Sequence, residues 1–580
     1  MTAERWPEKS CERQSADILC TDGLHGLGLM DAAPVQQRPQ ASMASQAWSL
    51  AGAGAISLVL ATASLRTLGG SGYVMQVDRV SGPLPPPLHW SFALPVDLLD
   101  RAITLLVGGA VSGRLFVLAS LVVCSLAPMV LFRDASWPAK VFAGTAGALN
   151  PWTYDRAADG QWNVAVAAAL LFLWLAAWES LDRRPSVRRA IILSLVAVLS
   201  VSFDAHVGGP LLVLTLAGLI KTGARPGSLR FKLTAFSVLF SLLLLSYGVI
   251  GFFAGHGIAS FTTVSHYGAA DFANFRFQAD PATGVVVSAL SLHGYWGEAI
   301  GRFVRPSGAT AWWPLSSAAL LGLAVFGGRL APNRRWLLGP GILGLLLSIS
   351  TAIPGAADLA GAAASRIPLL VAYREPDKWS SLWLLALIVF GTECLDHLWR
   401  RRAGAGRREL PVALGVSALA MAALIAPAGF VALTELPRVV APAPYPSDWT
   451  AASDYMRDHV PRQELVAVLP WHHYEVLPFA AGRPVLNPGG VVFPGNLLLP
   501  DDDEIPGSPP PSTIAAAARQ LPGGGCSLSE ALGQAGATWA VVEAAPGRDD
   551  TVDALVRCGW VISRGGPGST SVLHKSALSR

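Results

Sequence analysis

Eleven apolar runs, separated by polar loops, govern what this chain can fold into. They lie near residues 46–66, 113–132, 137–149, 163–180, 190–206, 208–221, 231–254, 311–328, 336–353, 379–396 and 411–434. An apolar helix of about 20 residues crosses a bilayer, and within lipid a helix satisfies its own backbone hydrogen bonds. The runs near 137–149 and 208–221 are the shortest. Of the 580 residues, 52% are hydrophobic and 14% charged, against about 25% charged in soluble domains. The expected fold class is an α-helical polytopic membrane protein with about 11 transmembrane helices. The net charge of +4 comes mostly from short loops and gives no reason to expect nucleic acid as a partner.

Orientation follows from the distribution of Lys and Arg. Loops near 133–140, 179–189, 221–232, 329–335 and 400–409 hold 18 of them in 48 residues, whereas the alternate loops hold 9 in 134. The basic loops are therefore expected in the cytoplasm. An odd number of spans places the N-terminus inside and the C-terminal part outside the plasma membrane.

Outside the spans the chain divides further. Residues 1–45 are polar and lack the pattern of a signal peptide, so a disordered cytoplasmic leader is expected there. A transmembrane domain follows over 46–435, then a Pro-rich linker over 436–446 that suits a semi-rigid spacer. Residues 447–580 read as a small extracytoplasmic α/β domain. Its helix opens at Ser447 or Asp448 as a cap, and Leu465–Leu469 and Thr538–Glu543 read as buried strands. The stretch Pro494–Pro511 reads as a loop. Cys526 and Cys558 fall in this domain, where oxidation is permitted; they form either a disulfide or two separate thiols. Cys124 and Cys394 lie in spans and read as packing residues.

The polar motifs gather on the expected outer side. Asp78-Arg79 stands in the first external loop, ahead of an amphipathic segment, Val96–Val107, suited to lie along the membrane surface. A carboxylate there can take a proton from a sugar hydroxyl; alternatively it pairs with Arg79 or Arg101, or caps the surface helix. The second loop carries Asn150-Pro-Trp-Thr-Tyr-Asp155-Arg156-Ala-Ala-Asp159-Gly-Gln161-Trp162. Arg156 suits a phosphate, while Trp152 and Trp162 suit a sugar face or the interfacial belt. Tyr373-Arg374-Glu375-Pro376-Asp377-Lys378-Trp379 precedes the tenth run. Arg374 and Lys378 can clamp a phosphate or form an ion-pair knot with Glu375 and Asp377. His472-His473 makes a poor chelate, and no Walker A loop, His-Glu-x-x-His or Gly-x-Ser-x-Gly motif is present.

Four segments together resemble the glycosyltransferase C superfamily of polytopic membrane enzymes, in its actinobacterial type. They are Tyr73-Val-Met-Gln-Val-Asp78, Asn150–Arg156 with Gly160-Gln-Trp162, Leu292-His-Gly-Tyr-Trp296, and Arg374–Trp379. The resemblance implies an inverting transfer of sugar from a polyprenyl-phosphate donor to an envelope glycan or lipid acceptor. It implies Asp78 as general base, with Arg374, Lys378 and Arg156 on the donor phosphate. Arg79, Glu375, Asp155, Trp162 and Trp296 are expected in support. Relatives often carry a second acid in the first loop. Here Asp97 and Asp100 come late, on the surface segment, which leaves the second acid and any divalent metal open; no metal ligands are assigned. Two other readings fit the same sequence: a flippase or transporter of a lipid-linked intermediate, and a non-catalytic envelope-assembly protein. A transporter concentrates ionisable groups within its spans, and here the spans are nearly free of them.

Overall fold

The computed structural model describes residues 43–576 except 89, 255–260, 266, 303, 306–312, 403–427 and 522–524. The expected leader, up to residue 42, and most of the eleventh run lie outside the described residues.

Ten helices open the described chain: α1 (Met43–Thr62), α2 (Leu94–Val107), α3 (Gly109–Leu131), α4 (Trp137–Ala148), α5 (Pro151–Asp159), α6 (Trp162–Arg183), α7 (Val187–Phe203), α8 (Gly208–Thr222), α9 (Leu229–Leu244) and α10 (Ser246–Ala254). Later helices include Trp313–Leu330, Leu338–Ser350 and Ser380–Arg402. Among the described residues, five helical stretches are long and apolar enough to cross a membrane: Ala47–Gly69, Gly109–Leu131, Trp162–Arg183, Ala205–Thr222 and Pro376–Arg400. α9 and α10, bent by 43° at Leu245, make a sixth if they form one span. The chain is thus a multi-pass helical membrane protein; among the described residues fewer helices than the eleven expected runs are that long on their own. The 12 residues of α4 show why: Asn150-Pro151 stops that helix, and nearly all of it is buried against α1, α3 and Ser380–Arg402.

α2 presents Leu98, Leu99, Leu105 and Leu106 to the exterior, as a helix lying on a lipid surface does. The loops group in two sets. On one side Arg334 bonds Glu179 and Glu393, both at 2.7 Å, and Arg400 reaches the Asp134 carbonyl. On the other side the first, second, long external and pre-tenth-run loops meet the C-terminal region.

That region holds a five-stranded sheet ordered β4-β1-β5-β7-β6. Its strands are β1 (Leu465–Leu469), β4 (Asn496–Leu498), β5 (Ala537–Val542), β6 (Trp560–Arg564) and β7 (Ser571–Lys575), with β2 (Tyr474–Leu477) and β3 (Arg483–Leu486) forming a separate hairpin. β1 runs parallel to β4 and β5, and β7 runs antiparallel to β5 and β6. Apolar side chains on both faces of β1 and β5 are buried, which matches their unbroken apolar runs. Cys526 and Cys558 are joined by a disulfide, and Cys124 and Cys394 are buried thiols.

Three local readings are corrected. The helix Ser447–His459 starts after Pro446 without a side-chain cap, because Asp448 instead accepts the Thr570 amide at 2.8 Å. The stretch 494–511 contains β4. The Pro-rich stretch does not run as a free spacer. Tyr73 and Ala443 exchange both backbone hydrogen bonds at 2.9 Å, and the Tyr445 hydroxyl donates to the Ser81 carbonyl at 2.8 Å. Gly72, at φ +103°, permits this contact: a Cβ there would lie 2.4 Å from the Ala443 backbone.

Candidate active site

The site is built on α5. Asn150 caps the helix, its Oδ1 accepting the Thr153 amide at 2.9 Å, while Pro151 occupies the first turn, where its missing N–H is no loss. Gly160 closes the helix in the left-handed region at φ +86°. A Cβ on Gly160 would meet Gln76 Cβ at 2.8 Å and the Asp78 amide at 3.1 Å. Glycine thus lets the loop of Asp78 come down onto the helix end, where the Asp78 amide donates to the Asp159 carbonyl at 2.9 Å.

Asp78 pairs with neither Arg79 nor Arg101. Arg79 bonds Asp100 at 2.7 Å and lies over the Phe116 ring, and Arg101 donates to the Pro86 carbonyl. The Asp78 carboxylate instead accepts from two neutral donors, Gln161 Nε2 at 2.6 Å and the Tyr474 hydroxyl at 2.8 Å. Among the described residues it has no ion pair within 4.0 Å.

Asp159 stands beside it, fully buried, and accepts from the Tyr295 hydroxyl and from Arg302 Nη1 at 3.2 Å. Burial and the nearby Asp78 charge push its carboxyl up to about 6, against the pull of Arg302 and Tyr295. Asp503, from the stretch after β4, completes the rim. Burial raises its carboxyl; His473 and Arg374 oppose this, and Asp78 adds to it as a neighbouring like charge.

A knot of cations and carboxylates lies next to this group. Glu375 is its hub, with Lys378 at 3.5 Å, Arg156 at 3.6 Å and Arg374 at 3.9 Å. Burial works against ionisation of Glu375, but Lys378, Arg156 and Arg374 outweigh it and hold the carboxyl down at about 2. Arg156 is fully buried, bonded to Asp377 and Gln161 and lying over the Tyr295 ring at 4.2 Å. One glutamine amide therefore links Asp78 to Arg156. Arg374 lies over Tyr267 and Phe275 at 4.4 and 4.3 Å. Lys378 meets His206 at 3.1 Å and Asp204 at 3.7 Å, and lines a cleft of about 210 Å³ with Trp152, Asp204 and His206. Asp204 also borders a larger, mainly apolar groove of about 520 Å³ lined by Phe92, Val201, Phe203 and Phe252.

The remaining expected site residues have other surroundings. Trp152 and Trp162 are buried and donate to the Asp377 carbonyl and to Gln76, so neither forms a sugar platform or an interfacial belt. Trp296 packs edge-on against Phe275 and beneath Arg302. Asp155 meets Glu298 and His293 rather than a cation of the knot. His472 bonds Glu504 at 2.8 Å.

No family model matches the chain, and no curated protein matches its sequence. Solved structures do match its fold. The arabinofuranosyltransferase AftD from Mycobacteria aligns over 92% of this chain at 15% identity, with a TM-score of 0.51. This chain spans about 40% of the length of AftD. Looser matches, too low to carry weight, are the Archaeoglobus fulgidus oligosaccharyltransferase (87% of this chain, 70% of that one, 12% identity, TM-score 0.43) and ArnT from Cupriavidus metallidurans bound to undecaprenyl phosphate (93%, 99%, 14%, 0.38).

Asp159, Tyr295, Arg302, Tyr474, Gln161 and Asp503 were not expected at the site. A signal existed for three of them. Asp159 and Gln161 lie in the segment Asn150–Trp162, where a helix started by Asn150-Pro151 sets Asp155 and Asp159 on one side, and Tyr295 lies in Leu292–Trp296. Arg302, Tyr474 and Asp503 come from other segments, and nothing in their local sequence marks them.

Proposed function

We propose that the protein transfers a sugar from a polyprenyl-phosphate donor to an envelope acceptor at the outer membrane surface, with inversion. The observation that carries this is the Asp78 carboxylate, held by two neutral donors beside Asp159 where the external loops converge on the C-terminal sheet region. Asp78 takes the proton of the acceptor hydroxyl as its oxygen bonds the anomeric carbon. The bond from that carbon to the phosphate oxygen breaks, and the phosphate leaves with the electron pair. Cations stabilise the developing charge. The lipid phosphate enters beside Lys378 and His206, replacing Asp204 or Glu375 as the partner of Lys378, with Arg374 behind. The apolar groove that shares Asp204 suits the prenyl chain. Arg156 supports this from inside the knot.

The test is transfer from a panel of polyprenyl-phosphate pentoses and hexoses by protein in vesicles. A general base contributes about 10²- to 10⁴-fold, so Asp78→Asn should lose that much rate while keeping donor binding. Undiminished transfer by the variant would sink the assignment.

A further inference from the structure

A second buried cluster is built around Asp155, one turn before Asp159 on α5, and the transfer chemistry does not use it. Asp155, His293 and Glu298 are 2%, 3% and 4% exposed. One ligand atom from each lies within 4.8 Å of the others. His293 Nδ1 is 2.7 Å from Glu298 Oε1, and Arg305 Nε is 3.3 Å from Glu298 Oε2. Arg305 also reaches Asp280 at 3.8 Å. The Asp155 carboxyl lies within hydrogen-bond reach of Glu298, and its Oδ1 is buried with no partner of its own.

Two buried carboxyls, Asp155 and Glu298, face each other here; Arg305 reaches Glu298, while neighbouring Arg156 is bonded to Asp377 and lies near Glu375. Like charges set together in an interior repel unless a cation or a proton lies between them. A divalent cation would separate the two carboxyls and give Asp155 Oδ1 a partner.

We infer that Asp155, His293 and Glu298 form a zinc site that clips α5 to the external segment 291–305. One nitrogen and two carboxylate oxygens suit zinc, which leaves a fourth position for water. Zinc holds such ligands at about 2.0–2.2 Å, so small side-chain rotations close the present triangle. Arg305 would hold the second oxygen of Glu298 and fix its orientation, as outer partners of metal ligands do. The consequence for the neighbouring site is positional. Tyr295 and Arg302 lie on the same segment as His293 and Glu298, and both grip Asp159, four residues along α5 from Asp155.

The alternative occupant is a proton shared between the two carboxyls, and metal analysis separates the two. Untagged wild-type protein, purified in detergent with zinc supplied, should carry about one zinc per chain. Asp155→Asn and His293→Gln should each lose most of it. Cobalt added to chelator-stripped wild type should give the intense visible absorption of a four-coordinate ion, bleached by zinc; this arm does not depend on any variant folding. A wild type that carries no zinc and gives no such cobalt spectrum overturns the proposal. So does full zinc retention in both variants.

Discussion

The Tyr474 hydroxyl donates to Asp78 Oδ1 across 2.8 Å, joining residues 396 apart in the chain. Asp78 belongs to the first external loop and Tyr474 opens the β2–β3 hairpin beside the C-terminal sheet. The C-terminal region is thus part of the wall around the candidate base. Burial first, and then the Asp78 charge, push the Tyr474 phenol well above its ordinary value, so it stays a neutral donor at any working pH.

Tyr474→Phe keeps the ring and removes this donor. A hydrogen bond to a charged group is worth about 1.5–3 kcal/mol, roughly 10- to 100-fold in rate. Transfer should fall by up to that factor, and melting should drop modestly too, because the bond ties the hairpin to the loop of Asp78 while the phenylalanine ring fills the same space. Kinetics in vesicles and melting in detergent read the two effects separately; a variant with full activity removes Tyr474 from the mechanism.

The pH dependence of transfer should report Asp159. Its carboxyl, raised to about 6 by burial and Asp78, grips Tyr295 and Arg302 only when ionised. Activity should therefore fall as the pH drops through about 6. Arg302 opposes the rise, so Arg302→Met lifts the value further and moves the acid limb towards neutral pH. Profiles of kcat/KM over about pH 5 to 8 check the direction; a limb that stays in place, or moves to lower pH, contradicts the role given to Asp159.

Particular residues show what the sequence made legible. The unbroken apolar run Leu465–Leu469 is β1 residue for residue, and α2 follows the spacing of its leucines. Both patterns are local and set by burial. The knot around Glu375 was also legible, since Arg374, Glu375, Asp377 and Lys378 are neighbours in sequence. The partners of Asp78 were not. Gln161 reaches it through the turn after α5, and Tyr474 through the folding of the C-terminal region over the first loop. The number of spans was less legible, because apolar composition alone does not separate a helix that crosses lipid from one, like α4, enclosed by other helices.

Gly160→Ala tests the approach of the first loop to α5. An alanine forced into the left-handed region costs about 1–2 kcal/mol, and its Cβ would also collide with Gln76 at 2.8 Å. The variant should melt lower and lose more activity than its stability loss explains, because Asp78 is displaced from Asp159. Wild-type melting together with wild-type transfer would show that the contact is dispensable.

Arg156→Met tests whether this arginine serves the knot or meets the donor directly. Removing one partner of a buried pair leaves Asp377 and Glu375 uncompensated, at about 3–5 kcal/mol. The variant should be strongly destabilised. A stable variant with a raised donor KM would instead place Arg156 on the phosphate.

The C-terminal sheet region carries a pH-dependent strain of its own. Glu475 and Glu543 are buried, and Asn487 Nδ2 donates to both, at 3.1 and 3.0 Å. Burial pushes the Glu475 carboxyl up to about 7, and burial and the facing Glu475 push Glu543 up as well, so the pair holds a proton near neutrality. Because the folded values lie above the unfolded ones, the folded state binds more protons, and stability falls as pH rises. For Glu475 the loss runs from its ordinary value of 4.5 up to about 7. Glu475→Gln replaces one carboxyl with a neutral amide that still accepts from Asn487. Melting temperatures of the two proteins should converge in acid, and the variant should melt higher than wild type above about pH 7. A wild type that holds the same advantage, or none, across the whole range would show that the two carboxyls are not charged against each other in the fold.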